Sequence, residues 1–170
     1  FAQSWSRIRG LSASAYGATF GHFGVGLTVL GIVGMTAWRT EIITVLELGE
    51  SRELAGFTVT LKSVEDLAGY NYDGESGIFE VSKGGMTQTL QSEHRIYRVT
   101  GQPTTEVGLR TTPLGDLYVV LGDPQENSQR PAWVARMYYN PLVSWIWLGA
   151  LVMAFGGGLS LFDRRIRVGA

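Results

Sequence analysis

A chain of 170 residues with a formal net charge of −1 can hold one folded domain together with membrane-spanning segments. No basic stripe with interleaved aromatics is present, which argues against a nucleic-acid partner, and the absence of cysteine excludes disulfides, thiolate ligands and thiol chemistry. The 23 glycines gather in apolar runs and turns without a repeat period, so neither collagen nor a solenoid is indicated.

Residues 1–14 form a short polar lead containing Arg7 and Arg9. The sequence starts at Phe1, and its first apolar run is too long for the core of a signal peptide and lacks a cleavage pattern. The expectation is a part of a larger membrane protein. That run, residues 15–38, holds about 24 uncharged residues; at ~1.5 Å per residue the helix is ~36 Å long and spans a ~30 Å hydrocarbon core with tilt. It closes on Trp38, an interfacial aromatic, with Arg39 just outside.

One ionisable side chain, His22, lies within this span. An imidazole there carries a desolvation cost and faces a partner, a cavity or a cofactor rather than lipid. Ala18 and Gly26 share its face at i−4 and i+4, and Gly17, Gly21, Gly24, Thr28 and Gly31 make a small-residue stripe. Gly17 and Gly21 fit the small-xxx-small pattern of close helix packing, and the sparse surroundings leave room for a flat macrocycle edge-on to the imidazole. Three roles stay open on the residues alone: a hydrogen bond to a neighbouring helix, metal or haem ligation, and proton relay.

The middle segment, residues 39–140, reads as β structure. Ile42–Leu46 is β-branched and apolar, Phe57–Leu61 alternates with period two, and Ile78–Val81 does so less strictly. Met86–Leu90, Arg95–Val99, Thr105–Arg110, Leu117–Leu121 and Trp133–Tyr138 are further strands, and Val64–Ala68 is a candidate single helical turn. Turn signals stand at Tyr72-Asp73-Gly74, Lys83-Gly84-Gly85, Gly101-Gln102-Pro103, Pro113-Leu114-Gly115 and Gly122-Asp123-Pro124. Short strands at this spacing predict a small antiparallel β-barrel or sandwich.

The second span covers residues 141–162, opening on Trp145 and Trp147 and containing Gly156-Gly157-Gly158, which suits either close helix packing or a soft spot. The tail, residues 163–170, follows with Asp163-Arg164-Arg165-Ile166-Arg167. Both short ends carry arginine, whereas residues 39–140 hold 9 basic and 14 acidic residues. The positive-inside rule therefore predicts cytoplasmic termini and an external middle domain, periplasmic in a Gram-negative inner membrane, with His22 in the cytoplasmic leaflet. The fold class expected is two transmembrane α-helices flanking a small antiparallel β domain outside the membrane.

Outside His22 the chemistry is sparse. His94, read between strands, and the acidic pairs Glu65-Asp66 and Asp123 with Glu126 read as solvated surface, with no apolar setting to tune them for acid–base work. No nucleophile-elbow, phosphate-loop or zinc spacing is present. Trp133, Tyr138 and Tyr139 suit an interfacial anchor better than a stacking shelf.

Three stretches carry a family resemblance: residues 17–24, with His22 followed by Phe23-Gly24; Glu93-His94-Arg95-Ile96-Tyr97 with Thr105-Glu106-Val107 and residues 116–122; and residues 133–141 leading into Trp145-Ile146-Trp147-Leu148-Gly149-Ala150 and Asp163-Arg164-Arg165. In order and spacing the chain resembles the C-terminal portion of CcmF, the haem lyase family of System I cytochrome c maturation. The resemblance implies an integral membrane protein that takes haem from CcmE and, with CcmH, attaches it to apocytochrome c outside the membrane. It also implies a b-type haem (haem b) held between two transmembrane histidines, of which His22 matches one by motif position, making it a cofactor-binding residue and an axial ligand to the haem iron. The family's Trp-rich haem-handling segment and its two periplasmic histidines are absent from this sequence, and are expected in the N-terminal transmembrane bundle that forms the remainder of CcmF, or on another chain. The family pattern carries lysine where His94 stands, so no ligand role passes to it. No complete lyase active site is therefore expected in this chain, and no catalytic residue is assigned. The alternative is a non-enzymatic, membrane-anchored assembly scaffold in which His22 only joins helices. A transporter segment is disfavoured, because neither span has a broken, charged midplane.

Overall fold

The computed structural model describes residues 11–126 and 128–163. Arg7, Arg9, Arg164, Arg165 and Arg167, on which the orientation argument rests, lie outside the described residues. Two compact units are present: a helix pair, and a β domain over Trp38–Pro141.

The β domain contains β1 (Thr40–Glu47), β2 (Ser51–Leu54), β3 (Phe57–Ala68), β4 (Tyr72–Lys83), β5 (Met86–Tyr97), β6 (Pro103–Glu106), β7 (Gly108–Thr112), β8 (Gly115–Pro124) and β9 (Ala132–Pro141). Antiparallel pairing arranges them as a four-stranded sheet, β1-β9-β8-β7, and a five-stranded sheet, β2-β3-β4-β5-β6. Period-two alternation turns Phe57, Val59 and Leu61 of β3 and Leu117, Val119 and Leu121 of β8 into one buried core, which also holds Phe79, Val81 and Met137. The architecture is thus a β-sandwich of antiparallel sheets.

Several local readings are corrected. Val64–Ala68 is no helical turn. Past a bulge between Leu61 and Ser63, β3 continues to pair with β4, from Ser63↔Ile78 to Ala68↔Asp73, and this pairing overrides local propensity. The separate strands expected at Met86–Leu90 and Arg95–Val99 are joined in one continuous β5 that ends at Tyr97, leaving Arg98 and Val99 in the following turn. Thr105–Arg110 is instead divided: β6 closes the five-stranded sheet, Val107 crosses over, and β7 opens the four-stranded one. Tyr72-Asp73-Gly74 lies inside β4. Gly74 is needed because a Cβ there would collide with the His94 carbonyl, so the glycine marks a close strand approach rather than a turn. Gly122-Asp123-Pro124 forms a bulge in β8. Gly84-Gly85, with φ of 58° and 80°, does make the expected tight turn between β4 and β5. The short β2 escapes sequence reading because Leu54 is its one buried residue.

The helix pair consists of α1 (Ala13–Ala37) and α2 (Val143–Leu161), both long and apolar enough to cross a membrane. In lipid there is no hydrophobic drive between helices, so contact relies on close backbone approach. The residues buried within α1 are all glycine, Gly17, Gly24, Gly31 and Gly34, and those within α2 are Gly149 and Gly156. The helices run antiparallel: a Cβ at Gly17 would meet the Gly156 carbonyl at 2.5 Å, one at Gly24 the Gly149 carbonyl at 2.6 Å, and one at Gly31 the backbone nitrogen of Ile146 at 2.8 Å. Gly17, Gly24 and Gly31 recur every seven residues and so lie along one face of α1.

Candidate functional site

His22 sits where this glycine seam opens into a groove. Gly17, Ala18, Gly21, His22 and Val25 of α1 form one wall, and Met153, Gly156, Gly157 and Ser160 of α2 the other, around a volume of about 340 Å3. The groove exists because small residues at the lip leave space unfilled. A Cβ at Gly21 or Gly157 would meet nothing within 4 Å, whereas Gly156 between them is buried against Gly17 and Gly21. The three consecutive glycines of α2 therefore divide their work: Gly156 sets the approach of the helices and Gly157 keeps the groove open, with no break in the helix.

The imidazole of His22 is exposed, and its Nδ1 lies 2.8 Å from the Ala18 carbonyl oxygen. A carbonyl only accepts, so Nδ1 carries the proton and donates, and Nε2 is the ring nitrogen left without a partner on this helix. One ring nitrogen is thus fixed by a backbone carbonyl of its own helix and the other is bare. Among the described residues His22 makes no hydrogen bond to α2, so the helix-joining role has no partner within this pair. Phe20 and Phe155 pack edge to face across the two helices, with centroids 5.3 Å apart. At the end of the seam the Asp163 carboxylate accepts a 2.8 Å hydrogen bond from the backbone N–H of Ser14 and caps the first turn of α1. The sequence carries Asp163 beside its arginines, but nothing in its local pattern signals a cap for a helix 149 residues away.

The remaining candidates fall elsewhere. His94 lies in mid-β5, opposite Glu75 and Thr105, rather than between strands, and its side chain is 15 % exposed with Nε2 3.9 Å from Asp123. Glu65, Asp66, Asp123 and Glu126 are exposed. Trp133 and Tyr139 pack against the sandwich core. The Trp133 indole donates to Glu75 Oε2 at 3.0 Å and the Tyr139 hydroxyl donates to the Leu114 carbonyl at 3.3 Å, so both serve the sandwich itself. No cluster of three or more His, Asp or Glu side chains suited to a metal is present among the described residues.

Residues 37–141, more than half of the chain, match the family described as the CcmF C-terminal beta-sandwich. The chain belongs to the CcmF family. Among its curated relatives, the cytochrome c-type biogenesis protein ccl1 of Rhodobacter capsulatus is 44% identical over 96% of this chain and 25% of its own length. The CycK protein of Rhizobium meliloti is 40% identical over 98% of this chain and 24% of its own. Escherichia coli CcmF is 35% identical over 91% and 24%. The chain thus spans about a quarter of the length of the curated CcmF relatives it matches. A solved structure titled cytochrome c heme lyase CcmF shares the fold, with a TM-score of 0.69 at 20% identity over 86% of this chain and 24% of that one. With two helices long and apolar enough to cross a membrane, the chain is a CcmF-family membrane segment, and the bacterial relatives it matches are named as cytochrome c-type biogenesis proteins.

Proposed function

We propose that this chain is the C-terminal part of a cytochrome c haem lyase, in which His22 supplies one axial ligand to a b-type haem and the sandwich braces haem delivery outside the membrane. The observation that carries the proposal is the His22 imidazole, its Nδ1 proton committed to Ala18 and its Nε2 free beside a groove walled by Gly21, Gly157, Val25 and Met153. The donor chemistry fits: neutral imidazole is a common axial ligand to haem iron, and glycine-bordered apolar walls suit the face of a porphyrin. When bound, such a haem supplies reversible one-electron transfer. The chain's own residues orient and tune: Ala18 holds the tautomer, Gly156 fixes the helix separation, and Asp163 anchors the first turn of α1. The second ligand and the residues that handle haem for attachment belong to the portion of CcmF that the relatives have in addition. Haem-loaded CcmE, CcmH and apocytochrome c are the partners this reading requires. The bacterial inner membrane is its location, with cytoplasmic termini, a periplasmic sandwich and lipid around the helix pair.

The test is the reduced-minus-oxidised optical spectrum of the full-length protein purified in detergent, with His22 intact and with His22→Ala. Loss of the low-spin b-type bands at unchanged protein yield supports the assignment. An unaltered spectrum and haem content would refute it and leave the scaffold reading, with His22 holding no cofactor.

A further inference from the structure

Lys83, at the end of β4 in the five-stranded sheet, and Arg110, on β7 in the four-stranded sheet, converge on one aromatic ring. Lys83 Nζ lies 4.1 Å from the centroid of Phe57 and the Arg110 guanidinium 5.3 Å from it. Two cations on one ring repel each other, yet neither forms an ion pair with a carboxylate among the described residues. Lys83 donates one hydrogen bond, to the Ala55 carbonyl at 2.9 Å. Arg110 is less satisfied: its Nη1 is fully buried and has no hydrogen-bond partner among the described residues. A buried guanidinium N–H without an acceptor is costly, and an incoming oxyanion would relieve both that cost and the repulsion.

These two side chains line a cavity of about 370 Å3, floored by Phe57 and Tyr139 and rimmed by Met86 and Leu114. The rim is apolar and projects outward, Met86 and Leu114 each being 66 % exposed. The cavity lies among three hairpin turns, β2–β3, β4–β5 and β7–β8, at the end of the sandwich where β1 begins at Thr40 opposite Tyr139 and β9 ends at Pro141 opposite Gly115. The chain therefore enters and leaves the sandwich at the end that carries the cavity, and α2, apolar enough to cross a membrane, begins two residues after Pro141.

We infer that this cavity is a binding site for the phosphate of an anionic phospholipid, with Lys83 and Arg110 holding the oxyanion and Met86 and Leu114 entering the acyl boundary. Exposed apolar residues around paired cations match an acidic amphiphile better than a free, fully hydrated anion, because such a ligand satisfies both halves of the site. The site is independent of His22 and of any haem.

The experiment uses the full-length protein in detergent, delipidated and then titrated with phosphatidylglycerol, with phosphatidylcholine or with inorganic phosphate alone. Bound lipid is read by native mass spectrometry and stability by thermal unfolding. The expected result is that phosphatidylglycerol binds and raises the melting temperature, phosphatidylcholine and inorganic phosphate do not, and Lys83→Gln weakens the phosphatidylglycerol effect about fivefold. Lys83→Arg, which keeps the charge, retains it. Arg110→Gln is the second variant, and it weakens binding likewise. Equal stabilisation by both lipids, or no change with Lys83→Gln, overturns the site; stabilisation by inorganic phosphate alone assigns a free oxyanion and overturns the lipid. The haem spectrum of the same Lys83→Gln sample stays that of the unaltered protein, which separates failure here from failure of the His22 assignment.

Discussion

Replacing Ser92 by alanine removes one oxygen that serves both sheets. Ser92, fully buried on β5, donates to the Glu106 carbonyl at 2.8 Å and accepts from the backbone N–H of Leu121 on β8 at 2.9 Å. The first bond ties β6 to β5 just before the chain crosses to the other sheet at Val107; the second joins the two sheets beside the β8 bulge. Leu121 has no exposed surface at all, so its N–H cannot recruit water easily. A buried donor left unpaired costs about 1–3 kcal/mol, and the partly buried Glu106 acceptor adds a smaller amount, so the substitution should destabilise the sandwich by roughly 3 kcal/mol. For a domain of this size that corresponds to a fall in melting temperature of roughly 12–24 °C. The assay is thermal and urea unfolding of the full-length protein followed by the β-sheet circular dichroism band. Ser51→Ala is the comparison, since it deletes the same atom from the exposed Ser51–Thr60 bond and should change stability by less than about 0.5 kcal/mol. If Ser92→Ala and Ser51→Ala shift the transition equally, the inter-sheet bond is not what holds the two sheets in register.

Two further predictions concern the helix seam and the sandwich end. Gly149→Ala places a methyl group against Thr28 and within 2.5 Å of the Gly24 carbonyl, so the helices must separate by about 1 Å. Haem content of the purified full-length protein should fall although His22 is untouched, whereas Gly158→Ala, which meets nothing within 4 Å and lies outside the groove lining, should leave it unchanged. Tyr139 tests the electrostatics of the sandwich: burial, and then the nearby Asp116 carboxylate, push its phenol above the ordinary value of 10.0. The unfolded chain ionises first, so this contribution is complete below about pH 10 and is lost as pH rises through the raised folded value. Alkaline unfolding of Tyr139→Phe should lack that component, and an unchanged pH profile would refute it.

The two candidate sites differ in the range over which their residues act, and that difference decides what a sequence can reveal. His22 is legible because its setting is local: one ionisable group in an apolar helix is anomalous by itself, and Ala18 and Gly21 are fixed relative to it by helical geometry. The opposite wall is only half legible. Gly156 and Gly157 are visible as small residues, but which of them packs and which opens the groove depends on the register of α2 against α1. The β strands are legible where alternation is strict, as in β3 and β8. They are misread where pairing outruns composition, as at Val64–Ala68, and where one run of residues serves two sheets, as at Thr105–Arg110. Lys83 and Arg110 lie beyond local reading altogether. Lys83 stands beside a glycine turn and Arg110 in a polar strand, each an ordinary surface cation by its neighbours. Only the sandwich, by closing one sheet over the other, brings both charges onto Phe57 and buries a guanidinium nitrogen without an acceptor. Stability alone would favour a carboxylate at such a place, and three of the sandwich's other arginines, Arg52, Arg95 and Arg98, have one within 3 Å. Two cations that form no ion pair with a carboxylate among the described residues, in a chain of net charge −1, are therefore better explained by a ligand than by the fold.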